Sequence, residues 1–240
     1  MNQLQVKGLI FDYGGTIDTS AVHWSEVLWN GYQHFQVPVS KQQFREAYVH
    51  GERTLDKSSL IQPEHNFLDL LNIKVDVETK YLVDHGYYMQ AEPLRKACSN
   101  NIARYCYNHV LNVLQTVRPV LQRLAERYPM VLVTNFYGNI HAVLDDFQLP
   151  FFQEVIESAV VGIRKPDPQI FRLGVETLGL VPADVAVIGD SYSKDIVPAK
   201  ALGCQTVWFK GVGWTDEQSE GESADIIIDK FQFLEQVLLF

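Results

Sequence analysis

The sequence predicts an α/β protein: a parallel sheet with helices on both faces and an α-helical domain inserted after the first strand. Three observations predict it. Short apolar, β-branched runs each stop at polar or glycine residues, as buried parallel strands do. Helical patterns alternate with these runs in the second half of the chain. The stretch from Asp18 to about Leu114 has helical periodicity and aromatics but almost no strand-like run.

Val6 to Phe11 reads as the first strand, ending at Asp12-Tyr13-Gly14-Gly15. Met130 to Val133 ends at Thr134-Asn135, Val185 to Ile188 at Gly189-Asp190, and Thr206 to Phe209 near Gly211. Between the later strands lie helices over Pro168 to Leu178, started by Asp167, and over Ile196 to Leu202, stopped by Gly203. Ala224 to Ile228 and Phe231 to Leu239 complete the core as a strand and a closing helix. Within the insertion, Val22 to Phe35 reads as a helix, and Ser40 with Gln43 forms a capping box opening a helix through Tyr48. Pro38 and Pro63 punctuate these helices. The predicted division is a core of residues 1–17 and 115–240 and a cap of 18–114, with crossings near Thr16 to Ser20 and Leu114 to Pro119.

Composition narrows the function. The 240 residues are 47% hydrophobic and 20% charged, an ordinary globular mixture. A formal charge of -9 without a basic patch argues against nucleic acid and anionic membranes as partners. No apolar run approaches the roughly 18 residues that span a bilayer. The start of the sequence lacks a signal-peptide pattern, and Cys98, Cys106 and Cys204 show no CxxC spacing, so a reducing cytoplasmic setting is expected.

Residues that follow the strands of an open α/β sheet converge at one edge, where ligands bind. Here they are Asp12, Gly14 and Gly15, then Thr134 and Asn135, then Asp190, Ser191 and Asp195, with Lys165 in a loop. Asp12 and Asp190 could hold a hard divalent cation such as Mg²⁺, and one carboxylate could attack phosphorus. Lys165 would neutralise the phosphoryl oxygens. Thr134 and the N–H groups of Gly14 and Gly15 are further donors; Asn135 is a phosphate contact or a helix cap.

Four segments, IFDYGGTID at Ile10 to Asp18, VLVTN at Val131 to Asn135, RKPDPQIF at Arg164 to Phe171 and IGDSYSKD at Ile188 to Asp195, resemble the motifs of the haloacid dehalogenase-like (HAD) hydrolase superfamily, in order. The resemblance implies a Rossmann-like core with an inserted helical cap, and a phosphatase using Mg²⁺ on a small phosphorylated metabolite. It implies that Asp12 is the nucleophile, that Thr134 binds the phosphoryl group and that Lys165 stabilises its charge. Asp190 and the Gly14 carbonyl would join Asp12 around the metal. Ser191 and Asp195 would support them, Asp195 by ordering a metal-bound water or anchoring Lys165.

The sequence departs from the family at one position. Family phosphatases carry a second aspartate two residues after the nucleophile, as general acid and base; this chain has Gly14. Loss of such a group slows alkyl phosphates most, so aryl or acyl phosphates should be favoured. Asp18 is expected as a turn or cap residue. Two rivals stay open. One is a haloacid dehalogenase or phosphonate hydrolase, the latter needing a cap lysine, for which Lys41 and Lys57 are candidates. The other is a phosphate-binding or regulatory protein of weak activity. Trp24, Trp29, Tyr32 and Phe35 read as cap core and His23 and His50 as surface residues, with His23 or Trp24, close after the linker, facing the cleft as the alternative; Arg53 and Lys57 read as a solvated face, the alternative being contact with an anionic substrate.

Overall fold

A computed structural model describes residues 3–213 and 224–238. Among these residues six parallel strands form one sheet: β1 Gly8–Phe11, β2 Met130–Thr134, β3 Glu154–Glu157, β4 Val185–Gly189, β5 Gln205–Phe209 and β6 Ile226–Ile228. Their spatial order is β3-β2-β1-β4-β5-β6. β1, β2 and β4 are buried along their whole length, which is why they read as continuous apolar runs.

Alternation on β1 separates two hydrophobic layers. Leu9 and Phe11 pack on one side with Leu132, Ile188 and the long helix described below. Ile10 faces the other side with Val131, Val133 and Val187, against Ile170, Phe171 and Val175 of a later helix. Helices therefore cover both faces.

Four helices separate β1 from β2: α1 Trp24–His34, α2 Lys41–Lys57, α3 Phe67–Asp84 and α4 Glu92–Ala125. Ser40 and Gln43 form the expected capping box, but α2 runs on to Lys57, well past Tyr48. Asn66 and Asp69 make a second box at the start of α3. α4 continues unbroken across Leu114 to Pro119, with Pro119 inside it. A proline there removes one intrahelical bond; burial of Val117, Val120, Leu121 and Leu124 offsets the loss. One rigid helix thus carries the chain from the helical region back to the sheet.

The remaining helices are α5 Ile140–Asp146, α6 Ser158–Val161, α7 Gln169–Leu178, α8 Val197–Leu202 and α9 Leu234–Leu238. A π-helical turn, Tyr192–Ile196, precedes α8. The closing helix begins as a 3-10 turn, Phe231–Phe233, and its expected end at Leu239 lies outside the described residues. β3 is an edge strand that sequence reading omits, because its first two residues, Glu154 and Val155, are not buried. Among the described residues no helix is long and apolar enough to cross a membrane.

Candidate active site

The strand order reverses direction at β1, which lies between β2 and β4, so the crevice at the carboxyl ends of β1 and β4 is the expected ligand position. Asp12 follows β1 directly and is 4% exposed. Its Oδ1 accepts a bond from the Lys165 ammonium and its Oδ2 one from Thr16 Oγ1 at 3.1 Å. Lys165 Nζ also donates to Asp195 Oδ1 at 2.7 Å. One buried ammonium thus bridges two buried carboxylates.

Thr16 ties β1 to β4. Its single proton lies between Asp12 Oδ2 and Asp190 Oδ1, each 3.1 Å from Oγ1, and its oxygen accepts the Asp190 N–H at 3.0 Å. Asp195, in the π-helical turn, accepts the Ser191 N–H at 3.0 Å. A Cβ on Gly189 would come within 2.5 Å of the Asp195 side chain, so only glycine lets Asp195 settle there. Gly15 has φ +94°, and a Cβ would lie 2.3 Å from Asp190 Oδ2.

Asp12, Asp190 and Asp195 offer oxygen atoms all within 4.8 Å of one another. Burial and then the charges of Asp12 and Asp195 raise the Asp190 pKa well above the usual carboxylate range. Burial lifts Asp195 to about 6, although Lys165 opposes the shift. Burial alone would lower the Lys165 pKa; Asp12 and Asp195 outweigh it and hold the pKa above that of an ordinary lysine. An all-oxygen set of crowded carboxylates is the donor chemistry of Mg²⁺ or Ca²⁺.

Thr134 ends β2 and is buried, one strand from Asp12. Asn135 accepts the Lys165 N–H and donates to the Lys165 carbonyl, which gives it a role in positioning that loop; it does not cap α5, whose first turn follows Asn139. The Lys165-Pro166 peptide is cis. Asp18 accepts the Gly15 N–H at 2.7 Å and Trp24 Nε1–H at 2.9 Å, bracing the turn after Asp12. The Gly15 N–H is therefore committed to Asp18 and is not a free phosphate donor. Burial, opposed by these two bonds, lifts Asp18 to about 7.

Above the carboxylates lies a cleft of about 160 Å³ whose walls come from both the sheet end and the helices. Gly14, Gly15, Asn135 and Asp190 form its floor; His23, Trp24, Tyr48, Glu52, Phe67 and Lys74 are among the residues opposite. Nothing within 4 Å would touch a Cβ at Gly14. His23 and Trp24 both line the cleft, the alternative to a surface place for His23 and a core place for Trp24. Tyr32 is core as expected, while Trp29 and Phe35 are partly buried against it. Lys57 and Arg53 are exposed, and Lys41 pairs with Glu26, so neither Lys41 nor Lys57 lines the cleft. Lys74 does, and sequence reasoning missed it along with Thr16.

The fold is that of an α/β protein with a helical insertion, its strand-end carboxylates gathered around a lysine. The model of the haloacid dehalogenase-like hydrolases matches residues 6–203, and the chain belongs to that family. A glyceraldehyde 3-phosphate phosphatase of Pyrococcus furiosus is 35% identical over 96 residues, 40% of this chain and 38% of that one. A phosphoglycolate phosphatase of Aliivibrio fischeri is 30% identical over 125 residues, 51% of this chain and 55% of that one. The chain thus matches well under two thirds of either relative. Among solved structures, the HAD hydrolase YfnB of Bacillus subtilis, bound to magnesium, superimposes with TM-score 0.61 at 19% identity, covering 98% of this chain and 100% of that one. This last likeness is one of fold.

Proposed function

We propose that the chain is a divalent-cation-dependent phosphomonoester hydrolase that acts on a small phosphorylated metabolite through an aspartyl-phosphate on Asp12. The observation that carries this reading is the position of Asp12, held by Lys165 and Thr16 beside Asp190 and Asp195, next to a cleft lined by Gly14, Gly15 and Asp190. Phosphatase names among the relatives support it. The cleft volume is below the roughly 300–1,000 Å³ of drug-sized pockets, which suits a small leaving group. Helices α1 to α3 and the first part of α4 would serve as the cap that limits water.

In this reading one Asp12 oxygen attacks phosphorus while the bond to the leaving oxygen breaks. Lys165 holds the carboxylate in line and offsets charge on the phosphoryl oxygens, with Thr134 as a further donor. Water then attacks the aspartyl-phosphate and frees Asp12 and inorganic phosphate. Asp12, Asp190, Asp195 and the Gly14 carbonyl are the groups available to hold Mg²⁺, which when bound would supply positive charge for the phosphoryl oxygens. The crowding of carboxylates favours this over a dehalogenase, which has no use for a cation-binding set.

The test is a phosphate-release screen over phosphorylated metabolites with and without Mg²⁺. Release that needs the cation and disappears in Asp12→Asn is expected. Halide release from 2-haloacids, or a borohydride-trapped adduct between a phosphonate substrate and Lys74, would overturn the reading. Acyl-phosphate mimics such as beryllofluoride binding at Asp12, with no turnover of any substrate, would favour the regulatory alternative.

A further inference from the structure

We propose, resting on the phosphatase reading above, that Lys74 supplies the leaving-group proton that Gly14 has no side chain to give. Gly14, from the turn after β1, and Lys74, from α3, line the same small cleft. The space a Cβ would occupy at Gly14 is empty of protein, so it is open to a substrate.

Lys74 lies in the interior of α3 yet is only 5% exposed. Groups from several elements surround its ammonium. Glu52 on α2 pairs with it, and its Nζ lies 4.8 Å from the centre of the Tyr48 ring. The second Glu52 oxygen accepts from Tyr137 Oη at 3.0 Å. Glu78, one turn along α3 and fully buried, accepts from Tyr32 Oη at 3.2 Å, and its other oxygen has no hydrogen-bond partner. Cys106 on α4 completes the surroundings. Burial draws the Lys74 pKa down to about 8 against the pull of Glu78. An acid of that strength is matched to proton transfer near neutrality.

Other protic groups on the cleft wall are less suited. His23 Nδ1 accepts the Ser25 N–H, and burial, then Lys194 and Lys74, lower its pKa to about 4. It is neutral at pH 7, and giving up its remaining proton would leave an imidazolate. Tyr48 and Tyr137 are pushed above the ordinary phenol by burial. Lys194 is exposed to water.

The balance is complete without a further reactant. As Asp12 attacks, the P–O bond to the leaving group breaks, its electron pair stays on that oxygen, and a Lys74 proton neutralises it. The resulting Lys74 amine takes a proton from water as the water oxygen bonds to phosphorus. The acyl-phosphate bond breaks, and the Asp12 carboxylate, inorganic phosphate and the Lys74 ammonium are restored.

The experiment measures kcat/KM of the full chain with Mg²⁺ on phosphates of graded leaving-group pKa, from p-nitrophenyl to simple alkyl. Lys74→Met should lose about 10²–10⁴-fold on alkyl phosphates and roughly tenfold or less on p-nitrophenyl phosphate. Lys74→Arg keeps a charge beside Glu52 but does not release a proton near neutrality, so it should show the same selective loss and also guards against a misfolded methionine variant. Adding Gly14→Asp to Lys74→Met should restore alkyl turnover. Equal losses on all substrates, no loss on alkyl phosphates, or no restoration by Gly14→Asp would overturn the assignment to Lys74. Absence of Asp12-dependent phosphate release in the unaltered protein would instead overturn the phosphatase reading beneath it.

Discussion

The side-chain amide of Asn135 holds the backbone of Lys165 from both sides, Oδ1 accepting its N–H at 2.9 Å and Nδ2 donating to its carbonyl at 3.1 Å. This fixes the loop from which the lysine reaches Asp12 and Asp195 across the sheet end. Asn135→Ala removes both bonds, each worth about 0.5–1.5 kcal/mol. Turnover should fall about 10–100-fold, as for other groups that orient a ligand or a catalytic side chain, with a lowered Tm. Asn135→Asp keeps the acceptor and should fall between. Wild-type kcat in the alanine variant would refute the role.

Thr16 links two carboxylates far apart in sequence, Asp12 and Asp190, through one hydroxyl. Thr16→Val has nearly the same shape and lacks that hydroxyl. Mg²⁺ affinity, read by titration calorimetry, should weaken about 10–100-fold, and kcat should fall with it. Unchanged affinity would mean that the strand ends alone position Asp190.

Much of this site is legible in the sequence because its chemistry sits immediately after buried strands. Asp12 and Asp190 each follow an unbroken apolar run, so the topology of a parallel sheet brings them together whatever their side chains do. Lys74 and Thr16 are not legible that way. Lys74 sits in a helical segment, Leu70 to Asp76, where a lysine ordinarily faces water, and only packing of α3 against α2 turns it to the cleft. Edge strand β3 is hidden by its charged ends, and the unbroken course of α4 by Pro119, a residue that usually marks a break.

Adjacent glycines after Asp12 should respond oppositely to substitution. Gly14 has no positive φ and no neighbour within 4 Å of an added Cβ, so Gly14→Asp should fold normally. Because Lys74 already gives the leaving-group proton, Gly14→Asp alone should change alkyl-phosphate turnover little, whereas in Lys74→Met it should restore most of the roughly 10²–10⁴-fold loss. Gly15→Ala meets both a left-handed φ and Asp190 Oδ2 at 2.3 Å. It should lower stability by about 1–3 kcal/mol and abolish activity. The pair is read by thermal melts and by kinetics on an alkyl phosphate. A large gain in Gly14→Asp alone would show that Lys74 does not already supply that proton.

Stability of the cation-free protein should fall as pH rises through the range where its buried carboxylates ionise. Asp18 and Asp195 are raised from 3.8 to about 7 and about 6, chiefly by burial, and Asp190 is raised as well. A carboxyl whose folded pKa lies above its unfolded value favours folding most below the unfolded value, and this contribution is lost as pH climbs through the folded one. For Asp18 alone the lost contribution is about 4 kcal/mol between pH 4 and 7. Mg²⁺ held by Asp12, Asp190 and Asp195 would favour their ionised forms and oppose the part of the loss that comes from Asp190 and Asp195. The Asp18 part would remain, because Asp18 bonds Gly15 and Trp24 instead. Thermal melts from pH 5 to 8 in EDTA should therefore show a declining Tm, and saturating Mg²⁺ should raise Tm more at pH 8 than at pH 5. Parallel curves with and without the cation would mean that it does not bind this carboxylate cluster.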